Sequence, residues 1–327
     1  MKLHLLTGST NDWEKIHPGL VQFTTDFPDL VVQVYFASAD NGPEKVDMAL
    51  IKIFIETDAP RVLSSGAGMA NILTGVVKQS AELSDLVLGM PISDSMFAGL
   101  SSFLSTSEKP PRNAVLTVPI DQSYTAANVA RKFLLPQERR IVVVQDLYEG
   151  EKERRYQREV AANVGAELKR YQLEFSLLPS SAISSDDLVI TPFCLSPENP
   201  GYLTAYATAN QRAVQAIDTR LSQGTGIQIA VKDTSRVLYP GNKQLSPEQE
   251  DNQSRAITAY HHLVSLPLPS TGFTSAGWYV NAAQLAAVLA RNQTALAQFG
   301  TEKTRKAVEL AAHPGYLVQA GRVIQLS

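Results

Sequence analysis

Apolar residues in this chain gather into short runs that end in small or polar residues and lead into longer stretches with helical spacing. Lys2 to Leu6 predicts a first strand, and the polar turn Thr7-Gly8-Ser9-Thr10-Asn11-Asp12-Trp13-Glu14 leads into a helix. Val31 to Phe36 predicts a second strand, leaving through Ala37-Ser38-Ala39-Asp40-Asn41-Gly42-Pro43, with an apolar-striped helix over Lys45 to Glu56. Three strand-turn-helix units follow between Val62 and Leu134. Their apolar runs open at Val62, Leu86 and Ala114 and leave through Ser64-Ser65-Gly66-Ala67-Gly68, Gly89-Met90-Pro91-Ile92 and Val118-Pro119-Ile120. Strands alternating with helices in this way predict an open, mostly parallel α/β sheet. In such sheets ligands sit at the carboxyl ends of the strands, so the residues just after each apolar run are the ones to watch.

Beyond Arg139 the pattern resumes with a strand over Arg140 to Gln145 and a long helix over Glu149 to Arg170. The alternating charges of that helix suit a solvated outer face. Leu188 to Ile190, Gly226 to Lys232 and Leu263 to Leu266 are further strand candidates, with a helix over Gln211 to Leu221. Asp233 to Asn252, rich in Pro, Gly and Asn, reads as the most loop-like segment. A helix over Glu302 to Ala312 and a hairpin through Ala320-Gly321 close the chain. A faint repeat is present. Ala282-Ala283-Gln284-Leu285-Ala286 echoes Ala126-Ala127-Asn128-Val129-Ala130 at a separation of 156 residues, and Ser254 to Ser265 echoes Met96 to Ser105. The expected division is residues 1–137 and 138–327, the second being a diverged copy of the first.

Composition narrows the function. The 327 residues are enough for two ordinary domains, and 44% hydrophobic with 19% charged residues describes a globular chain. A net charge of -3 gives no electrostatic footprint for nucleic acid or an anionic membrane. No apolar run approaches a membrane span, and no signal-peptide pattern opens the chain, so a cytoplasmic protein is expected. The single cysteine, Cys194, allows no intramolecular disulfide, and no Cys/His grouping offers a zinc site, so neither metal nor cofactor is expected. The adjacent pair His261-His262 reads as helix surface, with one of the two able to face a cleft.

The Ser64 to Gly68 turn suits either close backbone approach to a ligand or plain strand-to-helix packing. A helix starting there would aim free N–H groups at a phosphate or carboxylate. Ser9 with Asp12, or Asn11 with Glu14, has capping-box spacing; alternatively Gly8, Ser9 and Asp12 line the same crevice as the glycine turn.

Several segments, taken in order, resemble the PurE family of class I N5-carboxyaminoimidazole ribonucleotide mutases and aminoimidazole ribonucleotide (AIR) carboxylases. Gly8-Ser9-Thr10-Asn11-Asp12-Trp13 is similar to the family's Gly-Ser-x-Ser-Asp-Trp, and Ser65 to Ala70 to its Gly-Ala-Gly-Gly-Ala turn. Gly89-Met90-Pro91-Ile92, Gly99 to Ser105 and Ala126 to Ala130 fall in step with its later motifs. The resemblance implies a flavodoxin-like three-layer α/β/α sandwich with a parallel sheet, here in two tandem copies. It also implies a nucleotide-like ligand bound by its phosphate, carboxyl transfer on an aminoimidazole, and homo-oligomers, tetramers for a tandem chain. The implied binding residues are Gly8, Ser9, Asp12, Ser38, Ser65, Gly66, Ala67, Gly68, Ser93 and Ser95.

The chain departs from the family at its catalytic histidines. The Ser-Ala-His-Arg segment is Ser38-Ala39-Asp40-Asn41 here, the second histidine falls on Ile72, and a Ser-Lys pair falls on Asp94-Ser95. Between His17 and His261 there is no histidine. Asp12, Asp40 and Asp94, each at a strand exit, could act as clustered carboxylates in acid-base work or be solvated loop residues. Three readings follow: a divergent carboxyl-transfer enzyme of purine biosynthesis, a non-catalytic nucleotide-binding or scaffold protein, or a different carboxylation on the same scaffold, such as that of the nickel-pincer cofactor pathway.

Overall fold

Apolar runs buried on both faces make the centre of the sheet, as parallel strands covered by helices require. All residues of β4 (Leu86–Pro91), β6 (Ile141–Val144) and β8 (Leu188–Pro192) are buried, and β1 (Lys2–Thr7) and β3 (Val62–Ala67) are buried but for one end residue each. The outer strands β2 (Val31–Phe36) and β7 (Ser176–Leu178) are partly exposed, and β5 (Leu116–Thr117), β9 (Ile227–Lys232) and β10 (Thr271–Ser275) complete the set. The protein is seen in a computed structural model that describes residues 1–68, 71–93, 97–147, 151–192, 200–232, 246–275, 279–311, 316–319 and 322–325.

The ten strands form one sheet in the order β2-β1-β3-β4-β5-β10-β9-β8-β6-β7. Every neighbouring pair is parallel except β5 with β10. Outward from that antiparallel pair, the first half runs β5-β4-β3-β1-β2 and the second β10-β9-β8-β6-β7, the same path twice. The helices are α1 (Thr10–Asp26), α2 (Pro43–Glu56), α3 (Ile72–Ser80), α4 (Leu100–Ser107), α5 (Ser123–Leu134), α6 (Glu151–Arg170), α7 (Pro200–Ser222), α8 (Pro247–Val264), α9 (Tyr279–Leu289) and α10 (Gln293–Ala311). They cover both faces of the sheet, giving the flavodoxin-like α/β/α layering expected from the sequence. A large core unites residues from α1, α5, α6 and α9 on one face; separate clusters gather α2 with α3, and α4 with α8, on the other. The hairpin β11 (Tyr316–Gln319) and β12 (Arg322–Gln325) stands as a second, two-stranded sheet.

The sequence pattern misplaces three elements. Leu263 to Leu266 is no strand: Leu263 and Val264 end α8, whose apolar face they continue against α4. The strand there is β10, whose Thr271-Gly272-Phe273-Thr274-Ser275 carries too little apolar content to be read as buried. The segment expected to be loop through Asn252 turns helical at Pro247, a residue well suited to a first helical turn.

The two halves meet about the pair Thr117 and Phe273, which are 156 residues apart and directly opposite each other. One step along, Leu116 lies against Gly272, where a Cβ would come within 2.4 Å of the leucine side chain. A second large residue has no room there, so glycine is required. The surrounding bonds are reciprocal at the same spacing. Thr125 and Asn128 on α5 donate to Leu268 O at 3.1 Å and Pro269 O at 2.8 Å. Asn281 and Gln284 on α9 accept from Arg112 N at 2.8 Å and Ala114 N at 3.0 Å. Each half thus satisfies backbone groups in the loop that precedes the other's junction strand.

Candidate functional site

The crevice forms at the carboxyl ends of β1, β3 and β4. Ser9 caps α1: its Oγ accepts from Asp12 N at 3.1 Å and donates to Asp12 Oδ2 at 2.7 Å. The other carboxylate oxygen, Oδ1, accepts from Gly68 N at 3.0 Å, and Gly8 N donates to Gly66 O at 3.2 Å. Asp12 therefore belongs to the cap of α1 and also ties the exit of β1 to the glycine turn after β3. Donors on both oxygens hold this carboxylate in one orientation, as an acceptor with lone pairs still open to a ligand. A side chain at Gly66 would meet Ile16 of α1 at 2.5 Å, so this glycine lets helix and turn close together.

The turn leads into α3, which Asn71 caps. Asn71 Oδ1 accepts from Thr74 N at 3.2 Å, and Asn71 N donates to Ser105 Oγ at 2.9 Å. The cap fixes which end of the amide is oxygen, so the NH₂ is directed away from the helix. That Nδ2 is buried with no hydrogen-bond partner, in a residue fully removed from solvent. A buried donor left open costs about 1–3 kcal/mol unless a ligand or water accepts from it. Ser65, by contrast, is committed: its Oγ pairs with Thr74 Oγ1 at 2.6 Å, and the hydroxyl serves β3–α3 packing.

After β4 the chain is held from several sides. Ser93 N donates to Asp121 Oδ1 at 2.9 Å, and the Lys15 ammonium donates to Ser93 O and, at 3.3 Å, to its Oγ. Asp121 sits at φ 58°, in the left-handed region that aspartate tolerates. Asp94 and Ser95 lie outside the described residues. Farther on, Ala98 is left-handed at φ 46°, and its carbonyl accepts from His261 Nε2 at 2.8 Å. His261 is carried there by α8, whose Tyr260, Leu263 and Val264 are buried in one cluster with Leu100 and Phe103 of α4. His261 is half-buried at this contact and His262 is exposed, so one of the pair faces the β4 loop while both stay on the surface of α8.

The remaining candidates stand apart. Ser38 Oγ accepts from Asn41 N at 3.2 Å to close the turn after β2, and Asp40 is exposed on that turn with no hydrogen bond among the described residues. Of the histidines in the first half, His17 bonds the Trp13 carbonyl within its own helix at 3.2 Å. His4 is sealed in β1 beside Thr57, where burial pushes its pKa down to about 4. Lys15, Asn71 and Asp121 escape the motif comparison. Lys15 could have been found from its position three residues after Asp12 on the same helix face, and Asn71 from its capping position. Among the described residues no group of three or more His, Cys, Asp or Glu is placed to hold a metal, and no helix is long and apolar enough to cross a membrane. Cys194 lies outside the described residues.

Against known proteins, residues 2–154 match the AIR carboxylase family model. The chain is 35% identical over 136 residues to the N5-carboxyaminoimidazole ribonucleotide mutase of Saccharolobus solfataricus, covering 41% of this chain and 80% of that protein. Among solved structures, the transcription regulator CcpA of Lactococcus lactis aligns at 11% identity over 80% of this chain and 91% of that one, with a TM-score of 0.24. An ABC transporter substrate-binding protein from Sphaerobacter thermophilus aligns at 13% identity over 99% and 88%, with a TM-score of 0.23. Superpositions this loose carry no argument about function.

Proposed function

Since this chain belongs to the AIR carboxylase (PurE) family, we propose that its first half binds a phosphoribosyl-aminoimidazole or a related nucleotide in the crevice and transfers a carboxyl group on it, as a step of purine biosynthesis. The observation that carries this reading is the clasp of Ser9, Asp12 and Gly68, which joins two family motifs at the strand exits where such ligands sit. In this reading Asp12 receives ligand hydroxyls, the glycine turn lets the ring approach the backbone, and Asn71 Nδ2 donates to a ligand oxygen. Moving a carboxyl from the exocyclic nitrogen to the ring carbon breaks an N–C bond, forms a C–C bond and carries one proton from carbon to nitrogen. Among the described residues His261 is the histidine that reaches the β4 loop, and its Nδ1 is the atom we assign to that proton. We also propose that the second half is a diverged copy of the first, kept to complete the crevice from α8; the repeated strand path and the 156-residue spacing of the junction bonds support this.

The test is calorimetric titration with N5-carboxyaminoimidazole ribonucleotide, followed by ultraviolet absorbance of the same sample. Binding with turnover that His261→Ala abolishes, while binding remains, is the expected result. Binding without turnover would replace the enzyme with a sensor or scaffold, and no binding would remove the ligand assignment.

A further inference from the structure

The helix α2 is apolar on two opposite sides. Val46, Ala49, Leu50 and Ile53 are its buried residues and pack in the cluster shared with α3. At about 100° per residue, Met48, Ile51 and Ile55 line up on the outer side, 68%, 58% and 80% exposed. A helix that covers a sheet ordinarily carries polar residues there, and single exposed apolar residues need no explanation, but a stripe of three does. The second half has no counterpart to this helix. Between β7 and β8 stands a single 3₁₀ turn, Ser180–Ala182, where the first half places α2 between β2 and β3. The outer stripe therefore serves neither the core nor the repeated strand path.

The charges beside the stripe indicate what covers it. Positions 48, 51 and 55 have the spacing of successive a, d and a positions of a heptad. On that register Asp47 is a g position on one flank, and Lys52, five residues on, is an e position on the other. In a parallel pair of identical helices the g residue of one copy meets the e residue of the next heptad in the other. Asp47 would then face Lys52 of the second copy, and Lys52 its Asp47, giving two reciprocal ion pairs as a two-fold contact requires. An antiparallel two-fold would instead gather both Asp47 carboxylates on one flank and both Lys52 ammoniums on the other. Lys52 is free to take the new partner, because its contact with Glu56 is a surface pair at 3.8 Å between exposed side chains. Glu44 continues the stripe in the first turn of α2, where the helix dipole offsets the repulsion between two copies.

From this arrangement we infer that the outer face of α2 is an interface with α2 of a second copy of this chain, packed in parallel about a two-fold axis through Met48, Ile51 and Ile55. Three apolar side chains per copy make a small contact, so the association belongs to the weak class of interfaces and fills at micromolar concentration. It is separate from the crevice, because the stripe points away from the sheet.

The test is sedimentation velocity of the full chain from roughly 1 to 200 μM at pH 7 and low salt, the range in which a small interface fills. The wild type should associate as concentration rises, and Ile51→Glu should weaken that association by about tenfold or more. Ile51 is exposed, so this variant should keep the circular dichroism spectrum of the wild type. Asp47→Lys and Lys52→Asp should each weaken association by setting like charges together. Mixing these two variants should restore it, since the mixed pair regains both ion pairs. A wild type that stays monomeric throughout overturns the proposal and leaves the stripe to a different protein or a lipid surface. Assembly that is indifferent to Ile51→Glu uses another face of the molecule and overturns it too. A mixture no tighter than either charge variant alone overturns the parallel two-fold pairing.

Discussion

The two halves follow one strand path but use their polar groups in opposite ways. In the first half, β3 leaves through Gly66, Ala67 and Gly68, and two neighbouring groups keep bonding capacity: Asp12 clasps Gly68 with lone pairs to spare, and the buried Asn71 keeps an unpaired NH₂. In the second half, β8 leaves through Thr191 and Pro192, and among the described residues the polar groups of Thr191, Gln228, Thr271 and Asp218 turn inward. Thr191 Oγ1 accepts from Gln228 at 2.7 Å, while Thr271 bridges Gln228 at 2.7 Å and Asp218 at 2.6 Å. This network is buried and internally satisfied, so it specifies packing rather than offering a ligand its atoms. Topology alone places a crevice; a functional site further needs polar groups that the fold leaves unfinished.

The largest expected effect falls on the junction that both halves share. Lys132 of α5 crosses it and donates to Leu221 O at 2.8 Å, Gly226 O at 3.0 Å and Ser270 Oγ at 2.8 Å. Burial lowers its pKa to about 8 against the pull of Asp218, whose own carboxyl burial pushes up. Lys132→Ala should destabilise the protein by about 3–5 kcal/mol in urea, because it leaves buried acceptors open and Asp218 without its cation. A loss under about 1 kcal/mol would mean that the halves do not depend on this contact.

His4 separates the halves by pH. Its strand counterpart in the second half, β6, is Ile141-Val142-Val143-Val144, without a titrating group. With a folded pKa of about 4 against 6.5 unfolded, His4 is neutral in both states above pH 6.5, and stability there is complete. As pH falls from 6.5 to 4 the unfolded chain takes up the proton first, so stability is lost through that window by roughly 3 kcal/mol. Denaturant melts of wild type and His4→Gln should differ by a constant amount above pH 6.5, and from there down to pH 4 the wild type should lose roughly 3 kcal/mol relative to the variant; curves that stay parallel over the whole range would show that folding does not depress the His4 pKa.

Asp12 tests the contrast directly. Asp12→Ala should weaken the nucleotide 10- to 100-fold, equivalent to about 1.4–2.8 kcal/mol. Asp146, at the exit of β6, instead accepts at 2.7 Å from Ser180 N, just past β7. Asp146→Ala should leave nucleotide affinity within twofold of wild type. Equal losses in the two variants would place a second ligand site in the second half.

The motif order over the first half carried its fold, because glycine turns and apolar runs at fixed order reflect local backbone needs. The clasp of Ser9, Asp12 and Gly68 was legible for the same reason, since each member sits in a recognised turn. The pair His261-His262 was legible as able to send one ring to a cleft, but the partner of His261 was not, because its contact with Ala98 spans 163 residues and depends on how α8 packs against α4. Asn71 was passed over since an N-cap explains its oxygen, and only burial reveals the unused nitrogen. β10 was missed because it needs Gly272 where Leu116 of β5 packs against it, which weakens its apolar signature.

The smallest effect tests the symmetry itself. Asn128 and Gln284, 156 residues apart, each satisfy the loop before the other half's junction strand, one as donor to Pro269 O at 2.8 Å and the other as acceptor from Ala114 N at 3.0 Å. If the reciprocity reflects a true internal two-fold, Asn128→Ala and Gln284→Ala should each cost about 1 kcal/mol, with a difference below about 0.5 kcal/mol. The double variant should approach the sum, since the two bonds share no atoms. The comparison is sharpest in urea melts at pH 7, where His4 is neutral in both states and adds nothing to the difference. A loss confined to one variant would show that one half carries the junction while the other rests on it, and the equivalence of the two strand paths would then be topological without being energetic.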